Sequence, residues 1–376
     1  MTVLLLSLLA VILFGLAAEK RRAVRDRKKL THIVHVNGIR GKSTVTRLIA
    51  AGLQAGGWKV FCKTTGTVPM TIAPDGTERP IRRPGRSNIK EQLSILHQAA
   101  QSGAEVLVIE CMAVDPALQA VTQRQMLKAD VGVITNVRLD HTAEMGETLE
   151  EICDSLSNTI PRDGVLFTAD GIFFSRLRSN AQELNCRAEL AEPDGTEPEF
   201  DFPENIALAA AVCRELGVER KTALEGMSHY KRDPYAMSVF RLPGGGIFIN
   251  GMSINDPQST QLVYHRLEEK YAWQGHRLVL LINNRPDRGY RTQHMLQVAL
   301  ALEPAEVWLM GASQLTMARG LGRGLPRARV RRFRRAEELP LLEEKEGTVI
   351  YGVGNIAGPG HRIMELVREE GTQDVP

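Results

Sequence analysis

Residues 35–44, HVNGIRGKST, decide how this chain is read. The stretch ends in Gly41-Lys42-Ser43-Thr44, as a phosphate-binding loop does. A full-length loop has another glycine five positions before Gly41, and here that position is Val36. The earlier glycine is Gly38, so the loop is short. It lies between an apolar run at 32–36, read as a strand, and a helical pattern at 44–55. In that setting the N–H groups of the turn and of the helix N-terminus form an anion cradle. Lys42 can reach terminal phosphates and Ser43 can ligate Mg2+. The alternative is a plain strand-to-helix turn, which the GKST run argues against.

Outward from the loop, apolar runs without alternation lie at 59–61, 106–109, 131–135 and 165–168. Helical patterns separate them at 88–100, 148–159 and 173–184. Such runs suit a parallel sheet covered on both faces, so the fold class is α/β. Residues 191–203, AEPDGTEPEFDFP, read as an acidic, proline-rich loop before a helix at 204–216. A second α/β series starts near residue 237, with strands at 247–250, 278–282, 306–310 and 348–351. Residues 71–87, TIAPDGTERPIRRPGRS, read as a long inserted loop, either functional or disordered.

The chain begins MTVLLLSLLAVILFGLAAEKRRAVRDRKK. The uncharged run 3–18 makes about 24 Å of helix at 1.5 Å per residue, a little short of a roughly 30 Å hydrocarbon core. Lys20, Arg21, Arg22, Arg25, Arg27, Lys28 and Lys29 follow it, and no Lys or Arg precedes it. A cleaved signal peptide carries its positive charge first. The expectation is a single-pass transmembrane helix in the cell membrane, with the catalytic domains in the cytoplasm. A peripheral hydrophobic helix, or one packed on a partner, is the alternative. The net charge of +3 gives no global argument for nucleic acid. Cys62, Cys111, Cys153, Cys186 and Cys213 are odd in number and form no CxxC pair, against zinc or a disulfide framework.

Two further stretches carry chemistry. VLVIECMAV, residues 106–114, ends a buried strand on Glu110, placed to meet a metal beside the loop. An ordinary strand-end Glu is the alternative. VITNVRLDHTAEMGETLEEI, residues 133–152, delivers Thr135 and Asn136 into a loop that continues to Asp140 and His141. His141 is a candidate Mg2+ or Mn2+ ligand, although a lone His is more often a polar loop residue. Asp140 could orient it or accept a hydrogen bond from substrate.

Together, G-x-x-G-K-[ST], a strand ending in Glu and T-N-x-x-x-D-H resemble the ATP-binding domain of the Mur ligases and folylpolyglutamate synthases. KTTGT (63–67), ECMAV (110–114), NVRLDH (136–141), NRPDR (284–288) and YGVGNI (351–356) narrow the resemblance. They are similar to the ligase subunit of poly-γ-glutamate synthase, the PgsB/CapB family, over nearly the whole chain. The resemblance implies a Mur-ligase-like P-loop ATP-binding domain with a parallel-rich sheet, and a smaller C-terminal Rossmann-like α/β domain. The implied boundaries are 1–30 for the anchor and its basic segment, 31–236 for the ATP-binding domain and 237–376 for the C-terminal domain.

The implied activity is ATP-dependent amide ligation. The ATP γ-phosphate passes to a glutamate γ-carboxylate, and a glutamate amine attacks the acyl phosphate to give amide, ADP and phosphate. Carboxylates do not react directly with amines at neutral pH, so the site must neutralise charge and position groups. By this resemblance Gly38, Ile39, Arg40, Gly41, Lys42, Ser43 and Thr44 hold the phosphates. Ser43, Glu110 and His141 ligate metal, His141 a second ion, with Mg2+ expected and Mn2+ able to replace it. Lys42, Asn136, Asp140, His141 and Arg288 serve catalysis. Asn205, in NIALAA, contacts adenine, unless it is merely a polar residue at a helix start. The implied partners are glutamate, the growing poly-γ-glutamate chain, the inner membrane and small membrane subunits of a synthase and export complex. No nucleic acid is expected, and a homo-oligomer is allowed.

The chain departs from the wider superfamily in two places. Where many relatives have a carbamylated lysine, this chain reads DSLSN, with Ser155 and Leu156. In GMSINDPQST, Asn255 replaces a histidine and the role of Asp256 is open. Arg285, Asp287, Arg288 and Arg291 in INNRPDRGYR could meet phosphate or carboxylate. The run RGLPRARVRRFRR at 323–335, like Arg79, Arg82, Arg83 and Arg86, could face an anionic polymer, anionic lipid or solvent. Rival readings are an export-complex P-loop ATPase or regulatory subunit, a non-catalytic adaptor, and a folylpolyglutamate- or peptidoglycan-type ligase.

Overall fold

The apolar run before the short loop becomes β1 (His32–Asn37), a strand buried from Ile33 onward. In the computed structural model it lies at the centre of an eight-stranded sheet. The other strands are β2 (Val60–Thr64), β3 (Met70–Ile72), β4 (Glu78–Pro80), β5 (Val106–Glu110), β6 (Val131–Ile134), β7 (Val165–Thr168) and β8 (Arg187–Leu190). Their order is β4-β3-β2-β5-β1-β6-β7-β8. The six from β2 to β8 run parallel, and the β3–β4 hairpin adds antiparallel to β2. The register sets Val36 beside Glu110 and Asn37 beside Ile134. The carboxyl ends of β1, β5 and β6 therefore meet, which is where open α/β sheets bind ligands.

The structure describes residues 2–374, except Thr67, Pro84, Arg86, Phe200, Asn255, Asp287, Arg288 and Gly289, and except the side chains of Val3, Tyr290, Arg291 and Asp374. It divides into two units, Met1–Arg232 and Asp233–Pro376. In the first, helices α1 (Thr2–Arg27), α2 (Lys42–Ala55) and α3 (Glu91–Gln101) come early in the chain. Helix α2 buries Val45, Leu48, Ile49 and Leu53 against the sheet and against Ile206, Val212 and Met227 of two later helices. Each such side chain contributes about 1.5–3 kcal/mol when fully buried. This packing fixes the N-terminus of α2 at the end of β1.

The second unit holds seven strands: β9 (Ser238–Arg241), β10 (Ile247–Asn250), β11 (Arg277–Asn284), β12 (Glu306–Gly311), β13 (Arg329–Arg332), β14 (Thr348–Gly354) and β15 (Thr372–Asp374). Their order is β13-β12-β11-β14-β10-β9-β15. They run parallel from β13 to β10; β9 is antiparallel to β10, and β15 is antiparallel to β9. Trp308, Phe248, Phe333 and Ile350 lie in its core.

Several sequence expectations need correction. Residues 71–87 are not one loop. Ala73-Pro74-Asp75-Gly76 turns the chain, Thr77 N donates to Asp75 Oδ1 at 2.9 Å, and β3 and β4 pair across the turn. Strand β2 continues past Phe61 to Thr64, because the polar Lys63 and Thr64 are fully buried. The arginine run 323–335 contains an edge strand, β13, and Arg331 of that strand pairs with Glu306 at 3.5 Å.

The N-terminus has packing that the sequence did not show. Among the described residues no helix is long and apolar enough to cross a membrane. The uncharged run 3–18 lies wholly within α1 and makes about 24 Å of helix against a roughly 30 Å core. The following basic segment is not a free linker. Asp26 is buried and meets His97 at 2.9 Å, and Arg27 pairs with Asp130 at 2.6 Å. The last turns of α1 thus belong to the first unit.

Candidate active site

The short loop works because the neighbouring strand completes it. Gly38 has φ +121°, and a Cβ there would lie 2.1 Å from Thr135 Oγ1 and 2.8 Å from Thr135 N. Only glycine fits against the end of β6. Asn136 then grips Arg40: its Oδ1 accepts from Arg40 N at 3.0 Å and its Nδ2 donates to Arg40 O at 3.1 Å. Thr135 Oγ1 donates to the same carbonyl at 2.6 Å. Ile39 N donates to Asn136 O at 3.1 Å. The Arg40 guanidinium turns onto the buried Asp140, at 2.7 Å. The N–H groups of Ile39 and Arg40 are therefore used in bracing. The first-turn N–H groups of α2, which lack intrahelical acceptors, are the ones left for an anion.

Gly41, at φ +78°, caps α2, and a Cβ there would lie 2.9 Å from Asn205 Oδ1. This places Asn205 against the loop. Its Nδ2 donates to Asp201 Oδ1 at 2.9 Å, and Tyr230 Oη donates to Asp201 Oδ2 at 2.6 Å.

Lys42 folds into the loop, with Nζ 2.7 Å from Gly38 O and 3.3 Å from Ile39 O. Burial pushes its ammonium below the ordinary lysine range, while Glu110 pulls the other way. A dianionic phosphate in the loop would restore the missing countercharge.

Glu110 is almost fully buried and accepts from three donors: Ser43 Oγ at 2.8 Å, Thr65 N at 2.6 Å and Thr65 Oγ1. Ser43 and Glu110 thus share one point beside the loop. Mg2+ is commonly held by one or two protein oxygens together with substrate phosphates. A hydroxyl and a carboxylate at hydrogen-bond distance fit that donor set. Thr65 was not among the expected site residues. Its signal in the sequence was the KTTGT segment, which contains it.

His141 lies in the left-handed region at φ +53°, with N donating to Asp140 Oδ1 at 2.8 Å and Nε2 3.7 Å from Asp140 Oδ2. It lines a cleft of about 220 Å3 together with Lys42, Thr65, Arg83, Ser87 and Met112. Among the described residues no three His, Cys, Asp or Glu side chains converge as a metal cluster. Ser155, in the DSLSN segment, is buried and accepts from Gln119 Nε2 at 3.4 Å. Gln119 in turn accepts from Asn37 Nδ2 at 3.0 Å. Arg288 lies outside the described residues, as do Asp287 and Asn255. Asp256 caps the helix Pro257–Lys270, accepting from Ser259 N at 2.7 Å.

Strand ends, loop and carboxylate define the class: a P-loop α/β protein. The Mur ligase middle domain matches residues 36–190, and the C-terminal domain of poly-gamma-glutamate synthase CapB matches residues 240–370. The chain is 35% identical to PGA synthase CapB of Bacillus subtilis (strain 168), over 97% of this chain and 98% of that protein. It is 34% identical to the capsule biosynthesis protein CapB of Bacillus anthracis, over 90% of this chain and 76% of that protein. In fold it is similar to E. coli FolC in complex with ADP, with TM-score 0.72, 17% identity, and 93% and 92% of the two chains covered. It is also similar to the bifunctional folylpolyglutamate synthase/dihydrofolate synthase of Yersinia pestis complexed with AMPPNP and a Mn ion, with TM-score 0.71, 16% identity and the same coverage. The chain belongs to the CapB family of poly-γ-glutamate synthases and is an ATP-dependent ligase.

Proposed function

We propose that this enzyme joins glutamates through the γ-carboxyl, by way of an acyl phosphate, using ATP and Mg2+. The observation that carries the reading is the convergence of Lys42, Ser43 and Glu110 at one loop, with His141 lining the same cleft as Lys42. The γ-phosphoryl group moves from ATP to a glutamate γ-carboxylate oxygen, and ADP leaves. A glutamate amine then attacks the carbonyl carbon, the C–O bond to phosphate breaks, and the amine loses a proton. Lys42 neutralises the terminal phosphates. Asn136, Thr135 and Asp140 hold the loop in shape, and Asn205 faces the adenine side. Ser43 and Glu110 would hold Mg2+, which would supply charge neutralisation for the phosphates, and Mn2+ could replace it. His141 is positioned for substrate or for a second ion. Arg288 is proposed to meet a carboxylate.

The apolar side chains of α1 support membrane attachment, with the two units on the cytoplasmic side. Phe14, for example, is 75 % exposed. Small membrane subunits that carry the product outward complete this proposal.

The test is γ-glutamyl hydroxamate formation by the whole chain in detergent, with ATP, Mg2+, hydroxylamine and L- or D-glutamate. Glutamate-dependent hydroxamate with equimolar ADP is expected. Lys42→Ala should lower it at least ~100-fold, about 3 kcal/mol of lost charge stabilisation. ATP hydrolysis indifferent to either glutamate would refute the reading and favour an export ATPase.

A further inference from the structure

Arg83 borders two openings. One is the cleft with Lys42 and His141. The other is a groove of about 590 Å3 bounded by the β3–β4 hairpin, the segment after it and α3. Among the described residues its lining carries three guanidinium groups, Arg79, Arg82 and Arg83, against one carboxylate, Glu91.

That carboxylate is already committed. Arg83 donates to it through Nε at 2.6 Å and Nη2 at 3.0 Å, and the fully buried Lys63 Nζ lies 3.2 Å away. Lys63 Nζ also donates to Gln92 Oε1 at 3.2 Å, and Gln92 Nε2 donates to Glu110 O at 3.2 Å. Arg83 is thus tied by a buried network to the strand end that carries Glu110. Arg79 and Arg82 are exposed, and among the described residues neither forms an ion pair. Arg79 interacts electrostatically with the exposed Asp75 carboxylate on the hairpin turn, and the described lining keeps a net positive charge. Asn88, Ser94 and Gln98 add uncharged hydrogen-bonding groups. Among the described residues no aromatic side chain lines it, so they offer a base no stacking platform.

A γ-linked glutamate chain has one free carboxylate per residue and an amide in every link. Guanidinium groups match the carboxylates in geometry and charge. The amide and hydroxyl side chains match the links. We propose that this groove binds the growing polyanionic chain and leads it to the cleft, with Arg83 at the junction. The proposal rests on the ligase reading above.

The experiment uses the whole chain and a fluorescent γ-linked glutamate decamer, followed by anisotropy at low and moderate salt. Wild type should bind with an affinity that falls as salt rises. The double variant Arg79→Glu/Arg82→Glu should bind at least ~10-fold more weakly at low salt. Arg79→Lys/Arg82→Lys should keep most of the affinity, and Arg327→Glu/Arg329→Glu in the second unit should leave it unchanged. Equal binding by wild type and Arg79→Glu/Arg82→Glu would overturn the groove, as would an equal loss in Arg327→Glu/Arg329→Glu. Equal displacement of the decamer by single-stranded DNA of matched charge would also overturn it, by showing a face for polyanions at large. The hydroxamate assay is run on the same preparations. Hydroxamate formation with a failed groove test leaves the ligase reading standing. Groove-dependent binding without any glutamate-dependent turnover supports the groove and sinks the ligase reading.

Discussion

His35 sits in the middle of β1, fully buried, and its titration gives a measurable handle on the sheet that carries the site. Its Nδ1 meets Gln123 Oε1 at 2.9 Å, so that nitrogen is the donor. Its Nε2 is buried with no hydrogen-bond partner among the described residues. Burial drives its pKa down to about 4, against some support from Gln123, and the buried Lys63 ammonium pushes the same way as burial. Above pH 6.5 both folded and unfolded chains hold His35 neutral, and it contributes nothing to pH dependence. As pH falls from 6.5 toward 4, the unfolded chain takes up a proton that the folded chain refuses. Stability therefore drops by up to about 1.4 kcal/mol per pH unit, which amounts to about 2 kcal/mol at pH 5 and about 3 kcal/mol at pH 4. Below pH 4 the loss stops growing. Hydrogen exchange of the β1 amides, measured at pH 7.5 and pH 5 and corrected for intrinsic rates, reads the opening free energy of this sheet. His35→Leu removes the titration, and its pH-independent packing and hydrogen-bond effects cancel in the difference between the two pH values. Wild type should lose about 2 kcal/mol more than His35→Leu on acidification. Equal losses in the two proteins would refute the reasoning, because they would mean that folded His35 accepts its proton freely.

Three substitutions test the loop and its metal side. Gly38→Ala forces a methyl to 2.1 Å from Thr135 Oγ1 in a backbone region that L-residues avoid, so the first unit should lose at least about 2 kcal/mol in urea unfolding and bind a fluorescent ADP analogue poorly. Glu110→Gln presents an amide to three donors and removes the carboxylate. The Mg2+ concentration for half-maximal hydroxamate formation should rise at least ~10-fold, with metal-free nucleotide affinity much less affected. Asn205→Ala should raise KM for ATP about fivefold, a loss near 1 kcal/mol, while kcat stays close to wild type.

The sequence made the centre of the site legible because its signals are local. An apolar run, two glycines and GKST specify a strand, a cradle and a helix start within adjacent residues. Glu110 was legible as the last residue of an apolar strand. What stayed hidden depends on contacts between distant residues. Lys63 and Thr64 fell outside the run 59–61 read as a strand, since nothing nearby in the chain shows that Glu91 neutralises the Lys63 ammonium and Gln92 accepts a hydrogen bond from it. Thr65 carries no recognisable ligand chemistry until β2 and β5 bring it to Glu110. The arginines of 79–83 gave a composition but no geometry. Only the hairpin turn at Asp75-Gly76, with β4 and α3, arranges them along a groove. At the N-terminus the sequence separated an apolar helix from a basic tail. In the folded chain Asp26 and Arg27 draw the end of that helix into the first unit.

Two of the motifs act as one mechanical part. A full-length phosphate loop holds its shape largely through its own backbone, whereas this one is too short to do so. Gly38 is pressed against Thr135, and the Arg40 peptide is held on both its N–H and its carbonyl by Thr135 and Asn136. Asp140 then takes the Arg40 guanidinium and, through its other oxygen, the His141 N–H. The geometry of the phosphate site is therefore set partly by the loop after β6, the same loop that presents His141 to the cleft. Nucleotide binding that tightens the cradle must also bear on that loop, because they share Arg40. This accounts for a G-x-x-G-K-[ST] motif occurring together with T-N-x-x-x-D-H in one chain: the second supplies the brace that the first has lost, and through Arg40 and Asp140 it links the short loop to His141.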